Sequence, residues 1–246
     1  MEVNRELSLL NLMFTLAVQA EKIHAKPRIA ELREDNVRRA FFAAQAFNAV
    51  RAHLPTQLQP VVTFAYITGW RLASEILPLE WRSIDWENKV VRLDAGTTKN
   101  REGRSFPFTA ALRAVLEERR DERDRLKAAG TICPYVFRRN GKRIRTLRGA
   151  WLTACKAAGV PGRLLHDFRR TAVRNLELAS VPRSVAMSIV GHKTESIYRR
   201  YAIVDAESLR ETASKIDAMV TLTVTLAEKT ASEDASEKVG KAGVSR

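Results

Sequence analysis

VGHKTESIYRRYAIV, residues 190–204, sets a glycine, a histidine and two tyrosines in one short run. Gly191 closes a helix predicted over residues 183–190, because a residue without a side chain takes the C-terminal position at little steric cost. His192 then falls in the loop just past the cap. Tyr198 and Tyr201 sit three apart on the next predicted helix, so they share a face. Upstream, HDFRRTA (166–172) puts His166 one turn before Arg169 at a helix N-terminus. TGWRLASEILPLEW (68–81) carries Arg71 after Gly69, and TTKNREGRSFPFT (97–109) carries Lys99 near the tip of a charged hairpin. Four segments far apart in sequence thus supply polar groups that a helical domain does not otherwise gather.

Between these segments the pattern is mostly helical. Leu9, Leu12, Met13, Leu16, Ala17 and Ala20 recur at helical spacing and predict an amphipathic helix over residues 4–23, ending before Pro27. Residues 30–39 are charged and loosely patterned, which reads as a linker ahead of Phe41 and Phe42. A helix over 57–67 has Pro60 in its first turn and stops at Gly69; a second, over 70–77, is stopped by Pro78. Period-two patterning then predicts a small β-meander from 84–86, 90–93, 97–99 and 105–108. Thr109 caps a long helix to Ala129, and helices over 147–158, 167–179 and 183–190 follow. VTLTVTL (220–226) alternates like a lone strand, and residues 228–246 read as a polar, disordered tail. The expected fold is α+β, mainly α, with a small antiparallel three-stranded sheet.

Composition narrows the partners. The chain has 246 residues and is 45% hydrophobic, enough for one substantial core. Forty-two Lys and Arg against 28 Asp and Glu give a formal charge of +14, which favours a polyanion through counterion release. A membrane surface would suit the same charge, but no long apolar span or basic anchor helix is present, and residues 7–20 are broken by Ser8, Asn11, Thr15 and Gln19. A cytoplasmic, nucleoid-associated protein is expected. Cys133 and Cys155 lack CxxC or His companions, so neither a disulfide framework nor a zinc site is predicted.

Taken together, the four segments resemble the tyrosine recombinases of the phage integrase type, over roughly residues 36–213. Each fragment alone is weak; their order, spacing and apolar flanks agree. The resemblance implies the DNA breaking-rejoining fold, with residues 1–34 the last helix of a core-binding domain plus linker, 35–219 the catalytic domain, and 220–246 the strand-like segment and tail. It implies a site of Arg71, Lys99, His166, Arg169, His192 and Tyr201. Taken singly, an Arg or Lys is usually a solvated charge, a histidine a core residue and a tyrosine a packing aromatic. The family spacing, nine residues past the His of the GH pair, selects Tyr201 over Tyr198.

The chemistry suits these residue types. Two guanidiniums grip the non-bridging oxygens of a phosphodiester and stabilise extra charge in the transition state, the role expected of Arg71 and Arg169. His166 is placed to accept the nucleophile's proton, His192 to hydrogen-bond a phosphate oxygen and Lys99 to protonate the departing 5′ oxygen. Tyr201 is the expected nucleophile, with Arg199 and Arg200 as flanking cations that help it ionise. A 3′-phosphotyrosine conserves the energy of the broken bond, so the resemblance implies no metal, ATP or other cofactor. Implied partners are double-stranded DNA and three further copies in a homotetramer, with residues 220–226 a donated strand and room for an accessory host DNA-bending protein.

The chain departs from the family pattern at two places. Relatives place an acidic residue three after the first Arg, whereas Glu75 is four after Arg71, so one residue is inserted and Glu75's supporting role is left open. The core-binding domain of about a hundred residues is represented by one helix, NRELSLLNLMFTLAVQ (4–19), which implies an N-terminally truncated catalytic domain. Two rival readings stand beside recombination: a catalytically weak DNA-binding regulator, and relaxation of supercoils in the manner of type IB topoisomerases.

Overall fold

A computed structural model describes residues 2–33, 41–96 and 102–202, together with residues 213, 214 and 217. The expected strands at 97–99 and 220–226, Lys99 itself, and the tail from 228 lie outside the described residues. The chain divides into two compact units, Met1–Arg39 and Ala40–Arg246.

In the first unit, helix α1 (Glu2–Gln19) ends a little before the expected boundary. Lys22 N bonds Ala17 O at 2.9 Å and Glu21 N bonds Val18 O at 3.0 Å, while Glu21 takes a left-handed φ of 57°. This double bond closes the helix without the glycine such an ending usually recruits. Asn4 forms one stripe with Ser8 and Asn11, two of the residues that interrupt the apolar pattern. Asn4 holds Leu32 by two bonds, Nδ2 to Leu32 O at 2.7 Å and Leu32 N to Oδ1 at 2.8 Å. Asn11 donates to Ile29 O at 3.2 Å and Ser8 to Glu31 at 2.6 Å. The first part of the expected linker is therefore laid antiparallel along α1.

The second unit is built around α3 (Gln59–Thr68), whose Val61, Val62, Phe64 and Ala65 are at most 1% exposed. Around it pack α2 (Ala44–Ala52), α4 (Ala110–Ala128) and α6 (Asp167–Leu178), and α5 (Arg148–Ala157) packs on α2. Phe42, Phe47, Trp151 and Phe168 meet mostly edge-on, with Phe42 and Phe168 centroids 5.1 Å apart. Full burial of each such ring is worth roughly 2–3 kcal/mol. Thr109 caps α4 as expected, its hydroxyl accepting from Leu112 N at 3.1 Å. Both cysteines are buried and unpaired.

The sheet is antiparallel in the order β1 (Ile84–Asp85), β2 (Val90–Leu93), β3 (Arg104–Pro107). Val91 faces Phe106 and Leu93 faces Arg104, so strand alternation turns all four inward. A second hairpin, β4 (Arg138–Arg139) and β5 (Lys142–Arg143), was not expected from the pattern. Its turn is Asn140–Gly141 with φ of 51° and 72°, the left-handed pair that matches the twist of a two-residue hairpin.

Helices α7 (Arg183–Val190) and α8 (Glu195–Arg199) complete the unit. Val173, Ala186, Val190 and Tyr198 form a small apolar cluster joining α6, α7 and α8. Tyr201 lies one turn beyond Tyr198, its N–H bonded to Tyr198 O at 2.8 Å, and packs on this cluster.

Candidate active site

Arg71 sits where α3 ends and a single π-turn, Leu72–Ile76, begins. Glu75 N and Ile76 N both bond Arg71 O, at 2.9 and 3.1 Å, and Leu77 N bonds Leu72 O at 2.9 Å, so the turn is one residue wider than α. That extra residue is the insertion noted in the sequence, and the wide turn absorbs it. Glu75 swings under Arg71: its Oε1 meets Arg71 Nη1 at 2.7 Å and its Oε2 accepts from Arg71 N at 2.7 Å. Burial alone would raise the Glu75 pKa, but the Arg71 amide and the Arg104 charge hold it below the usual carboxylate range.

Arg104 was missed in the sequence reading. It stands on β3 with a side chain 4% exposed, ion-paired to Glu75 Oε2. Its guanidinium lies 5.3 Å over the Trp70 ring and fills the space in front of Gly191, where a β-carbon would come within 2.8 Å of Cζ. The signal available was the RSFP alternation, which puts Arg104 in phase with the buried Phe106.

Arg169, 2% exposed on the first turn of α6, is held through each of its three guanidinium nitrogens, which leaves two of its five N–H donors for a ligand. Its Nε donates to His192 Nε2 at 3.0 Å, Nη1 to Gly69 O at 3.2 Å and Nη2 to Gly191 O at 3.2 Å. Burial, then the neighbouring Arg71, pushes its pKa down to about 10. His192 accepts from a cation at Nε2, so its proton resides on Nδ1, which is buried with no partner among the described residues. Burial, followed by the charges of Arg169, Arg71 and Arg104, drives the His192 pKa down to about 3. This imidazole is neutral.

Tyr201 closes the cluster. Its hydroxyl is 3.1 Å from His166 Nε2 and its ring stacks on His192 with centroids 4.7 Å apart. His166 stands at the N-cap position of α6 without a side-chain bond to the helix; desolvation, then the charges of Arg169 and Arg170, hold its pKa below the usual imidazole range. Tyr198, in contrast, is fully buried among α6, α7 and α8. One expectation is corrected: the cations over the Tyr201 ring are Arg169 and Arg170, at 5.9 and 5.6 Å, not the flanking pair. Arg199 turns to Glu195, 2.9 Å away, because residues two apart in a helix do not face each other.

Arg71, His166 and Arg169 line one cleft of about 530 Å³. Three guanidiniums (Arg71, Arg104, Arg169) and one carboxylate (Glu75) leave a surplus of two positive charges beside neutral imidazoles. In a partly buried site such a surplus favours an anion with several acceptor oxygens, such as a phosphodiester.

A profile of the Phage integrase family matches residues 31–208. The integrase of Salmonella phage P22 is 30% identical over 172 residues, covering 66% of this chain and 43% of that protein. The chain therefore spans less than half the length of this relative. Among solved structures, the Tn1549 transposon integrase in complex with circular intermediate DNA is 17% identical with a TM-score of 0.64, over 86% of this chain and 78% of that one. A lambda integrase dimer bound to a COC' core site gives 17% and 0.63, over 80% and 71%. XerA recombinase gives 16% and 0.60, over 82% and 72%. At these identities the likeness is one of fold: a mainly helical domain with small antiparallel sheets.

Proposed function

The chain belongs to the phage integrase family, and on that premise we propose that it is a site-specific recombinase that cleaves and rejoins double-stranded DNA through a 3′-phosphotyrosine at Tyr201. The observation that carries this reading is the 3.1 Å approach of His166 Nε2 to the Tyr201 hydroxyl, beside two guanidiniums and over the His192 ring. Tyr201 oxygen attacks phosphorus, its proton passes to His166, and the bond from phosphorus to the 5′ oxygen breaks. Lys99 supplies the proton that the 5′ oxygen takes up. Arg71 and Arg169 hold the non-bridging oxygens while charge develops on them, and His192 Nδ1–H is a free donor for the same oxygens; each such contact is worth roughly 10²–10³ in rate. His166 starts neutral, as a proton acceptor must. Rejoining is the reverse attack by a 5′ hydroxyl. The active assembly in this reading is four copies on two duplexes, with an accessory host DNA-bending protein as a further partner.

The test is a pooled library of nicked duplexes in which cleavage releases a short strand and traps the adduct. The wild-type chain is expected to form a denaturant-resistant protein–DNA adduct, mapped to Tyr201. Tyr201→Phe should abolish it, and Tyr198→Phe should retain it. An adduct surviving Tyr201→Phe sinks the assignment; DNA binding without any adduct favours the regulator reading.

A further inference from the structure

Residues 125–166 contain ten Lys or Arg and no Asp or Glu, so most of the net charge of +14 arises in 42 residues. On α4, by contrast, Arg113 meets Glu117 and Arg123 meets Asp124. Arg139, Lys142, Arg145 and Arg148 are exposed, and none has an acidic partner among the described residues.

The hairpin that carries Arg139 and Lys142 is held in place. Arg138, adjacent to Arg139 but on the inward face of β4, is 0% exposed and donates to Arg119 O at 3.1 Å and Tyr135 O at 3.3 Å. Arg143 lies 5.3 Å over the Tyr135 ring, and the tight Asn140–Gly141 turn fixes the spacing of Arg139 and Lys142. The hairpin is thus anchored through its buried side, and its charged side faces solvent.

A groove of about 460 Å³ runs along this hairpin, lined by Arg139, Lys142, Arg143, Arg145 and Thr146. Arg145 and Thr146 also line the cleft that holds Arg71, His166 and Arg169, where Arg148 joins them. The two hollows therefore meet at Arg145. Among the described residues, no acidic side chain lines either one.

We propose that the β4–β5 hairpin and the start of α5 form a backbone-binding track for double-stranded DNA, in which Arg145, Arg148, Lys142 and Arg139 hold successive phosphates leading away from the phosphate gripped by Arg71 and Arg169. This rests on the reading of DNA as substrate and adds a determinant that none of the four motif segments covers. The contacts are to phosphate, so the track supplies affinity and register, and no base preference.

The experiment compares the full wild-type chain with Arg139→Gln/Lys142→Gln/Arg145→Gln/Arg148→Gln on a mixed-sequence duplex, reading affinity against salt. Each phosphate contact adds about 0.9 to the slope of log affinity against log salt, so the variant's slope should fall by about 3 to 4. A control with equal charge loss at acid-paired positions, Arg82→Gln/Arg92→Gln/Arg113→Gln/Arg123→Gln, should change it far less. Equal slopes for the two variants, or an unchanged slope for the track variant, overturn the proposal, as does a loss of self-association with DNA affinity intact. If the wild type forms no adduct, the phosphotyrosine reading fails while the slope comparison still decides the track.

Discussion

Arg104 touches a support of every other cation in the site. It pairs with Glu75, which holds Arg71; it lies over Trp70, the residue before Arg71; and it fills the space before Gly191, whose carbonyl holds Arg169. It acts through these neighbours, so it is a positioning residue. Arg104→Lys keeps the charge but loses the planar fork that meets Glu75 and Trp70 together. The expected result is a fall of about 10- to 100-fold in adduct rate at saturating DNA, since a displacement of about 1 Å in a positioned group costs that much. A methylphosphonate at the scissile linkage removes the charge that Arg71 and Arg169 hold, so the deficit of the variant should shrink on that substrate. A deficit unchanged by the methylphosphonate would mean that Arg104 serves folding alone. The sequence made Arg71, His166, Arg169, His192 and Tyr201 legible because each sits in a motif with its own spacing. It could not show Arg104's task, because the contacts that define it come from Glu75, Trp70 and Gly191, none of them near β3 in the chain.

At the scale of the element, two glycine caps separate backbone strain from packing. Gly69 and Gly130 both have left-handed φ, 63° and 79°, but a β-carbon at Gly69 would lie 2.6 Å from Ala172 Cβ whereas Gly130 has nothing within 4 Å. Gly130→Ala should cost about 1–2 kcal/mol, the conformational penalty alone. Gly69→Ala should cost about 1–3 kcal/mol more for the overpacking against α6, and should slow cleavage, because Gly69 O is an acceptor for Arg169. Urea unfolding and adduct rate measure the two effects; equal costs for both variants would contradict the packing argument. These caps, Thr109, the helix end at 190 and the one expected at 158 and found at 157 were readable because each is a local steric or hydrogen-bonding choice. The π-turn was readable only as a one-residue offset, since what selects it is the pairing of Glu75 with both Arg71 and Arg104. The β4–β5 hairpin left a signal in Asn140–Gly141, but two-residue strands show no alternation to support it.

At the scale of the whole molecule, buried cations and neutral imidazoles make stability depend on pH in a definite direction. His192 is 7% exposed and its pKa falls from 6.5 to about 3, first through burial and then through Arg169, Arg71 and Arg104. Folding therefore favours the neutral ring, while the unfolded chain takes up a proton below about pH 6.5. The sign follows: His192 contributes stability that is present above the unfolded pKa and is lost as pH falls from there toward the folded pKa. His166 shifts in the same direction and adds to the wild-type loss. Between pH 7.5 and 4.5 the His192 share is about 2–3 kcal/mol, from about two units of unfavourable protonation at 1.36 kcal/mol each. His192→Gln keeps a polar group of similar length without the titration, so its unfolding free energy should fall less over that interval by about this amount, whatever its stability at pH 7.5. Taking the difference between the two proteins cancels the carboxylates and His166, which titrate in both. Parallel losses in wild type and variant would mean that His192 protonates freely in the folded state, and the picture of a dry, cation-rich site awaiting an anion would have to be abandoned.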